Sequence, residues 1–70
     1  MKTYYYNDRV EINEVEHDIV VEYTEKEILD EYWDFWHTAM VKKFGKGHEL
    51  ITEQNCIEDW VVVHWAWEKK

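Results

Sequence analysis

This 70-residue sequence contains no proline, only two glycines and a single cysteine. The scarcity of proline and glycine excludes collagen-like, linker-like and low-complexity chains. One cysteine excludes an intramolecular disulfide framework and is typical of a reducing compartment. The longest uncharged stretch, Trp60 to Trp67, is too short to span a membrane, and no apolar run typical of a secretory signal follows Met1-Lys2. We therefore expect a soluble, cytoplasmic protein.

The length and the aromatic content together predict one small domain covering residues 1–70. A chain of this size buries only about 60% of its unfolded surface, which leaves a thin core. Aromatic residues make up 17% of the sequence, and each can bury about 150–250 Å². An apolar fraction of 46% also argues against a disordered tail. The core should therefore be built mainly from Trp and Tyr side chains.

The acidic charge is concentrated in the first half of the chain. Residues 1–34 contain eleven acidic and three basic residues, whereas residues 35–70 contain five of each, so the net charge of −8 belongs to the first half. A field of this sign repels nucleic acid and attracts basic partners. We therefore expect no direct nucleic-acid binding. The acids form either a recognition surface for a basic protein or a solvated face that maintains solubility.

Two alternating segments at the start of the chain predict a β-hairpin. Apolar and polar residues alternate from Tyr4 to Ile12, where Asp8 interrupts the apolar side, and more cleanly from Val15 to Tyr23. This is the period of a strand with one buried face. A two-residue turn at Asn13-Glu14 would place Ile12 opposite Val15. A longer turn over residues 13–16 is also consistent with the pattern, so the register stays open.

Start and stop signals bracket a long helix from Thr24 to Phe44. Thr24 and Glu27 form a capping-box pattern, and Gly45 stands where a left-handed C-terminal cap is expected. The apolar arc of this helix is about 180° wide, more than the roughly 100° that packing on a small sheet requires. Trp33 and Phe44 lie at the edge of the arc, so we expect them to make contacts beyond the domain.

The last third of the chain predicts a short helix followed by a strand. Thr52 to Asp59 begins with an N-cap residue and places Cys56 and Ile57 inward. Trp60 to Trp67 is rich in β-branched and aromatic residues, which favour a strand that is apolar on both faces.

The predicted fold class is therefore α+β with element order ββααβ. A three-stranded antiparallel or mixed sheet of order 2-1-3 packs on one long amphipathic helix. The chain is too short to cover the second sheet face, which predicts self-association, most simply a homodimer, or a protein partner.

The sequence contains no pattern typical of a catalytic or metal site. The four histidines and Cys56 lack the short spacings that let one element present two metal ligands. The acidic neighbours of Cys56 should raise the pKa of its thiol and suppress the nucleophilic thiolate. The Gly45-Lys46-Gly47 turn lacks the spacing of a phosphate-binding loop. We therefore expect no enzyme, no metal and no cofactor.

Two sets of residues are candidates for protein binding. The acidic candidates lie on the hairpin and the first half of the long helix: Glu16, Asp18, Glu22, Glu27, Asp30, Glu31 and Asp34. The aromatic and apolar candidates for an interface are Tyr5, Trp33, Phe44, Trp60, Trp65 and Trp67. Clustered Trp and Tyr residues are enriched at the centres of protein interfaces, although a small domain also uses them to fill its core.

The segments EILDEYWDFWHTAMVKKFG and CIEDWVVVHWAWE resemble short acidic uncharacterised proteins encoded by tailed phages of marine cyanobacteria. The ending DWVVVHWAWE is the distinctive part of this resemblance. It implies a small phage-encoded protein that acts in the host cytoplasm by binding a host protein, and it assigns no functional residues. Together with the acidic charge, it favours a non-enzymatic interaction module for a basic, nucleic-acid-binding surface. A homo-oligomeric structural subunit, whose acids serve solubility, is the alternative.

Overall fold

The computed structural model describes residues 2–70, which form a three-stranded sheet packed against two helices. In chain order the elements are β1 (Thr3–Ile12), β2 (Val15–Thr24), α1 (Glu25–Phe44), α2 (Glu53–His64) and β3 (Trp67–Glu68). The sheet order is β2-β1-β3, and β1 is antiparallel to both neighbours. The predicted α+β fold, its element order and its strand order are confirmed, with a second helix joining the long one against the sheet.

A two-residue turn sets the register of the hairpin. Asn13 and Glu14 both have positive φ, 52° and 66°, as a type I′ turn requires. Ile12 pairs with Val15, so the shorter of the two predicted turns is confirmed. Because side chains alternate along a strand, this register decides which side chains face the helices.

The predicted capping box starts α1. The Thr24 hydroxyl accepts from the Glu27 N–H at 3.2 Å, and the Glu27 carboxylate accepts from the Thr24 N–H at 3.1 Å. Gly45 ends the helix with φ 98° and ψ 154°. Its φ is positive, as predicted, but its ψ is extended, so the chain leaves the helix more directly than through a left-handed cap.

The predicted strand from Trp60 to Trp67 is wrong over most of its length. Residues 60–64 continue α2, and only Trp67–Glu68 pair with β1. At helical spacing Cys56, Ile57 and Trp60 share one face, and all three are buried. Burial of this face outweighs the strand preference of the Val-rich segment, because β-propensity depends mainly on context.

An unusual residue terminates α2. Trp65 adopts the left-handed conformation, with φ 55° and ψ 37°, which costs an L-residue about 1–2 kcal/mol. The Ala66 N–H donates to the Val61 carbonyl at 2.9 Å, so the helix end is satisfied as in a Schellman motif. This turn redirects the chain into β3.

The core lies where the base of the hairpin meets both helices. Tyr4, Ile28, Ile57 and Trp60 form its buried cluster. The Trp60 ring makes edge contacts with two tyrosine rings of the sheet, at centroid distances of 5.5 Å to Tyr6 and 5.4 Å to Tyr23. The prediction of a core built mainly from Trp and Tyr is therefore correct in part, because isoleucines supply half of the buried cluster.

Beyond this core the hairpin projects as a two-stranded ribbon. We call residues 8–19 the hairpin arm. Since β3 pairs only with Tyr4 and Tyr5 of β1, the arm has no third strand, and none of its residues is buried. The protein is correspondingly elongated, 45 × 29 × 17 Å, with a radius of gyration of 14.3 Å, compared with about 11 Å for a compact chain of this length.

Candidate functional site

The aromatic candidates occupy different environments. Trp60 is only 3% exposed, so its prediction as an interface residue is wrong; it lies in the core because residue 60 belongs to α2. Trp65 is 89% exposed, and Phe44 and Trp67 are also exposed, while Trp33 is half-buried. The structure therefore does not bring these side chains together in one interface.

The sheet face that points away from the helices is more polar than predicted. The Arg9 guanidinium lies 3.5 Å from Glu16 and 3.2 Å from Asp18, and the Lys69 ammonium lies 3.6 Å from Glu22. This face is therefore only partly apolar. The apolar residues on this face are Tyr5, Val20 and Trp67, and the Tyr5 and Trp67 rings contact each other at 6.0 Å.

All seven acidic candidates are exposed, but they form two separate groups. Glu16, Asp18 and Glu22 point outward from β2, on the face with Arg9 and Lys69. The other four belong to α1, which packs on the opposite face of the sheet, because the helix-facing strand residues include Tyr4, Tyr6 and Tyr23. The predicted continuous acidic surface is therefore divided by the sheet.

The two acidic groups differ in how their charge is neutralised. Each β2 acid lies in an ion pair, whereas no ion pair between residues 2 and 70 involves Asp30, Glu31 or Asp34. Glu31 accepts a hydrogen bond from the Tyr23 hydroxyl at 3.3 Å. Burial and this hydrogen bond raise the pKa of Tyr23 to about 12. The α1 acids thus hold their negative charge without a cationic partner in the described chain.

A groove between α1 and the start of α2 adjoins these acids. We call it the acidic groove; it comprises two adjacent cavities of about 590 and 630 Å³ that share Leu29, Asp30 and Glu53. Trp33 and Ile51 line one end, and Glu25, Lys26, Gln54 and Ile57 line the other. The groove therefore combines an apolar lining with three carboxylates and one ammonium group.

A second groove lies near the other end of α1. We call it the apolar groove; it has a volume of about 340 Å³ and apolar walls formed by Trp36, Met40, Phe44, Leu50 and Val62. Asn55, Glu58 and Asp59 complete its lining. Lys42 and Lys43 stand in the last turn of α1, and the Lys43 ammonium lies 5.3 Å from the centre of the Phe44 ring.

Sequence reasoning missed both grooves for the same reason. It singled out Asp30, Trp33 and Phe44, but Glu53 and Val62 join them only through the packing of α2 on α1. Assigning residues 60–64 to a strand removed Val62 from the helix. No local signal in the sequence specifies such a tertiary contact, although the Thr52 N-cap already indicated where α2 begins.

The titratable side chains next to the core include Cys56 and His64. Burial, and after it the carboxylates of Asp59 and Glu53, raise the pKa of the Cys56 thiol to about 11. His64 Nδ1 donates to the Trp60 carbonyl at 2.9 Å, as expected of a structural histidine. Among residues 2–70, no three His, Cys, Asp or Glu side chains stand together so that they could hold a metal ion.

Comparison with protein-family models, with curated proteins and with solved structures finds no match to this chain. Within the described residues, neither helix is both long and apolar enough to cross a membrane. The chain's own surface is therefore the guide to its function.

Proposed function

We propose that this protein is a non-enzymatic interaction module that binds a basic surface of a protein partner. The binding surface is the acidic face of α1, formed by Asp30, Glu31 and Asp34, together with the acidic groove. The observation that supports this most is the contrast between the two acidic groups. The β2 acids are paired with Arg9 and Lys69, whereas the α1 acids have no ion pair in residues 2–70.

The acidic groove favours arginine or lysine side chains of the partner. Carboxylates of Asp30, Glu53 and Glu25 surround an apolar lining that includes Trp33. A long cationic side chain can place its methylene groups on such a lining while its charged end meets the carboxylates. An aromatic ring adds attraction for the cation. Lys26 opposes this at one end, so we place the basic side chain nearer Trp33.

A nucleic-acid-binding surface of a host protein is the partner class that we propose. Asp30 and Asp34 lie one turn apart on α1, about 6 Å along its axis, and present closely spaced negative charges as a nucleic-acid backbone does. The resemblance to phage proteins supports a host protein as the partner and the host cytoplasm as the place of binding. Mimicry of nucleic acid would compete with the partner's own ligand.

A basic peptide can test this function before the partner is identified. The probe is a 15-residue peptide of alternating arginine and serine, titrated calorimetrically at low and high salt. We expect binding that weakens with salt, and about tenfold weaker binding for the Asp30→Asn, Asp34→Asn variant. Neither substitution touches the Glu31–Tyr23 hydrogen bond or the capping box, so the fold should persist.

The matched control removes the same charge from the other acidic group. Asp18→Asn, Glu22→Gln changes two carboxylates of β2 to neutral amides, and we expect it to keep most of the affinity. Equal losses in the two variants would show that only net charge matters, and the absence of binding at low salt would refute the proposed function.

A further inference from the structure

The hairpin arm has an apolar face that nothing in the described chain covers. By the strand register, Val10, Ile12, Val15 and Ile19 point to the helix side of the sheet together with Asp8 and His17, so this face is mostly but not wholly apolar. Ile12, Val15 and Ile19 are 55%, 56% and 41% exposed. A two-stranded ribbon is only marginally stable in water without a third strand or a packed face. The arm therefore requires another apolar surface to pack against.

The protein exposes more surface than a compact monomer of its mass, and the difference is about the area that one partner buries in a dimer interface. The accessible surface is 5594 Å², about 900 Å² more than a compact monomer of this mass exposes. A standard protein interface buries about 800 Å² on each partner. The arm face alone is too small to account for this area, since five residues of strand extend only about 16 Å. Each copy must therefore supply a second surface as well.

The apolar groove is the second surface. Phe44, Leu50 and Val62 line it and are 43%, 51% and 73% exposed. Trp65, which follows α2 directly, is the most exposed of the large apolar side chains. Its left-handed backbone costs stability, and its side chain gains little from the folded monomer. Covering this end of α2 with apolar side chains would offset that cost.

Charge at the two surfaces is complementary. Glu14 stands in the turn at the tip of the arm and Glu11 lies next to it on the outer face of the strand; neither takes part in an ion pair within residues 2–70. Lys42 and Lys43 stand beside Phe44 at the α1 end of the apolar groove. The α2 wall carries Glu58 and Asp59, so an arm tip from another copy would meet the opposite charge only at the α1 end. This fixes the direction in which the arm would lie.

We infer that two copies of this chain form a two-fold dimer by exchanging their hairpin arms. The apolar face of each arm lies in the apolar groove of the other copy, with the arm tip next to the partner copy's lysines at the end of α1. In such an arrangement every contact occurs twice, because a two-fold interface is self-complementary. The dimer leaves the α1 acids exposed and does not depend on the proposed function.

Charge reversal on separate chains tests the exchange directly. The first variant, Lys42→Glu, Lys43→Glu, places acidic side chains at the α1 end of the apolar groove, where they would repel the acidic arm tip. The second, Glu11→Lys, Glu14→Lys, places basic side chains on the arm tip, where they would repel Lys42 and Lys43. We expect each variant alone to be a monomer by sedimentation, with a dimer dissociation constant raised about tenfold or more. Mixed together, they should form a heterodimer, because both arm–groove contacts then join opposite charges.

Apolar contacts are tested with threonine substitutions on the two faces of the hairpin. Ile12→Thr, Val15→Thr, Ile19→Thr removes apolar surface from the helix-side face of the arm and keeps the β-branched shape. Val20→Thr makes the same kind of change on the opposite face of the hairpin, next to the arm, where Val20 is 59% exposed. We expect the triple variant to be monomeric and Val20→Thr to remain dimeric, with unchanged circular dichroism spectra in both.

Two results would overturn the inference. One is a wild-type protein that sediments as an 8.7 kDa monomer at concentrations of about 1 mM, well above those at which specific dimers form. The other is a pair of charge variants that fail to form the heterodimer. If both variants stay dimeric when alone, the interface lies elsewhere, and the arm–groove exchange is refuted in the same experiment.

Discussion

The two ends of the β-hairpin share one sequence pattern and have opposite environments. At the base, the helix-facing side chains are Tyr4, Tyr6 and Tyr23, which contact the core around Trp60. In the arm the same face continues with aliphatic side chains, interrupted by Asp8 and His17, and none of these residues is buried. Alternation along a strand therefore shows which face is suited to burial. It does not show whether the same chain supplies the cover.

Matched isoleucine substitutions should give the largest difference between the two regions. Ile28 is fully buried in the core that supports the base, whereas Ile12 in the arm is more than half exposed. We expect Ile28→Ala to destabilise the protein by about 2–5 kcal/mol through lost burial and a residual cavity. Ile12→Ala should change the stability of the monomer by about 0.5 kcal/mol or less. Urea unfolding measures both.

This comparison needs a monomeric background, because Ile12 also lies in the proposed dimer interface. The Lys42→Glu, Lys43→Glu variant supplies it. A loss above about 1 kcal/mol for Ile12→Ala in that background would show that the arm packs against the body of its own chain in solution, which would contradict the difference drawn here.

Alkaline pH should destabilise the core at the base of the hairpin and leave the hairpin arm unaffected. Tyr32 on α1 donates its hydroxyl to Asp59 on α2 at 2.7 Å. Burial and this hydrogen bond raise the pKa of Tyr32 from 10.0 to about 12. A raised pKa means that the folded state holds the proton more tightly. The stabilisation is therefore complete below pH 10 and is lost as the pH rises towards 12.

The variant Tyr32→Phe isolates this contribution. At pH 8 we expect it to be less stable than the wild type by about 1 kcal/mol, since the bond to a carboxylate is lost at a partly exposed site. The difference should shrink between pH 10 and 12. Urea unfolding at pH 8 and pH 11 measures it, and a difference that stays constant over this range would contradict the assignment. The arm contains no tyrosine or cysteine, so it adds nothing to this transition.

Most of the fold was predictable because its signals are local. The capping box at Thr24 and Glu27, the strand alternation and the Asn13-Glu14 turn each depend on residues a few positions apart. The error at Trp60 arose where local propensity and tertiary packing disagree. The Val61–Val63 run favours a strand, but the burial of Trp60 against Tyr6 and Tyr23 holds the segment in a helix, and only the assembled core supplies that energy.

The candidate sites were predictable only in part. Exposure of the acids follows from their chemistry, and all seven are exposed. Their division into two groups follows from strand alternation, which points Glu16, Asp18 and Glu22 away from the face that packs on α1, and the Arg9–Asp18 pair follows from the shorter hairpin register. Glu53 and Val62 were missed because their roles come from contacts between helices.

The smallest effect concerns the turn at the tip of the arm. Glu14 has φ 66°, which is unfavourable for an L-residue and costs glycine little. Glu14→Gly relieves this strain but increases the entropy of the unfolded chain, so we expect a net stabilisation of about 0.5 kcal/mol. Since nothing packs on the arm of the monomer, this gain should stay local. In the monomeric background, hydrogen exchange of the arm amides should slow about twofold, while exchange of the core amides at the base of the hairpin stays unchanged.

The matched control is Glu14→Gln, which removes the same charge and keeps the side chain at positive φ. If it slows exchange as much as Glu14→Gly does, charge repulsion at the tip, and not backbone strain, limits the stability of the arm. If Glu14→Gly alone also raised the stability of the base, base and arm would unfold as one cooperative unit. The arm would then be a rigid extension of the core, and less of its stability would have to come from a second copy.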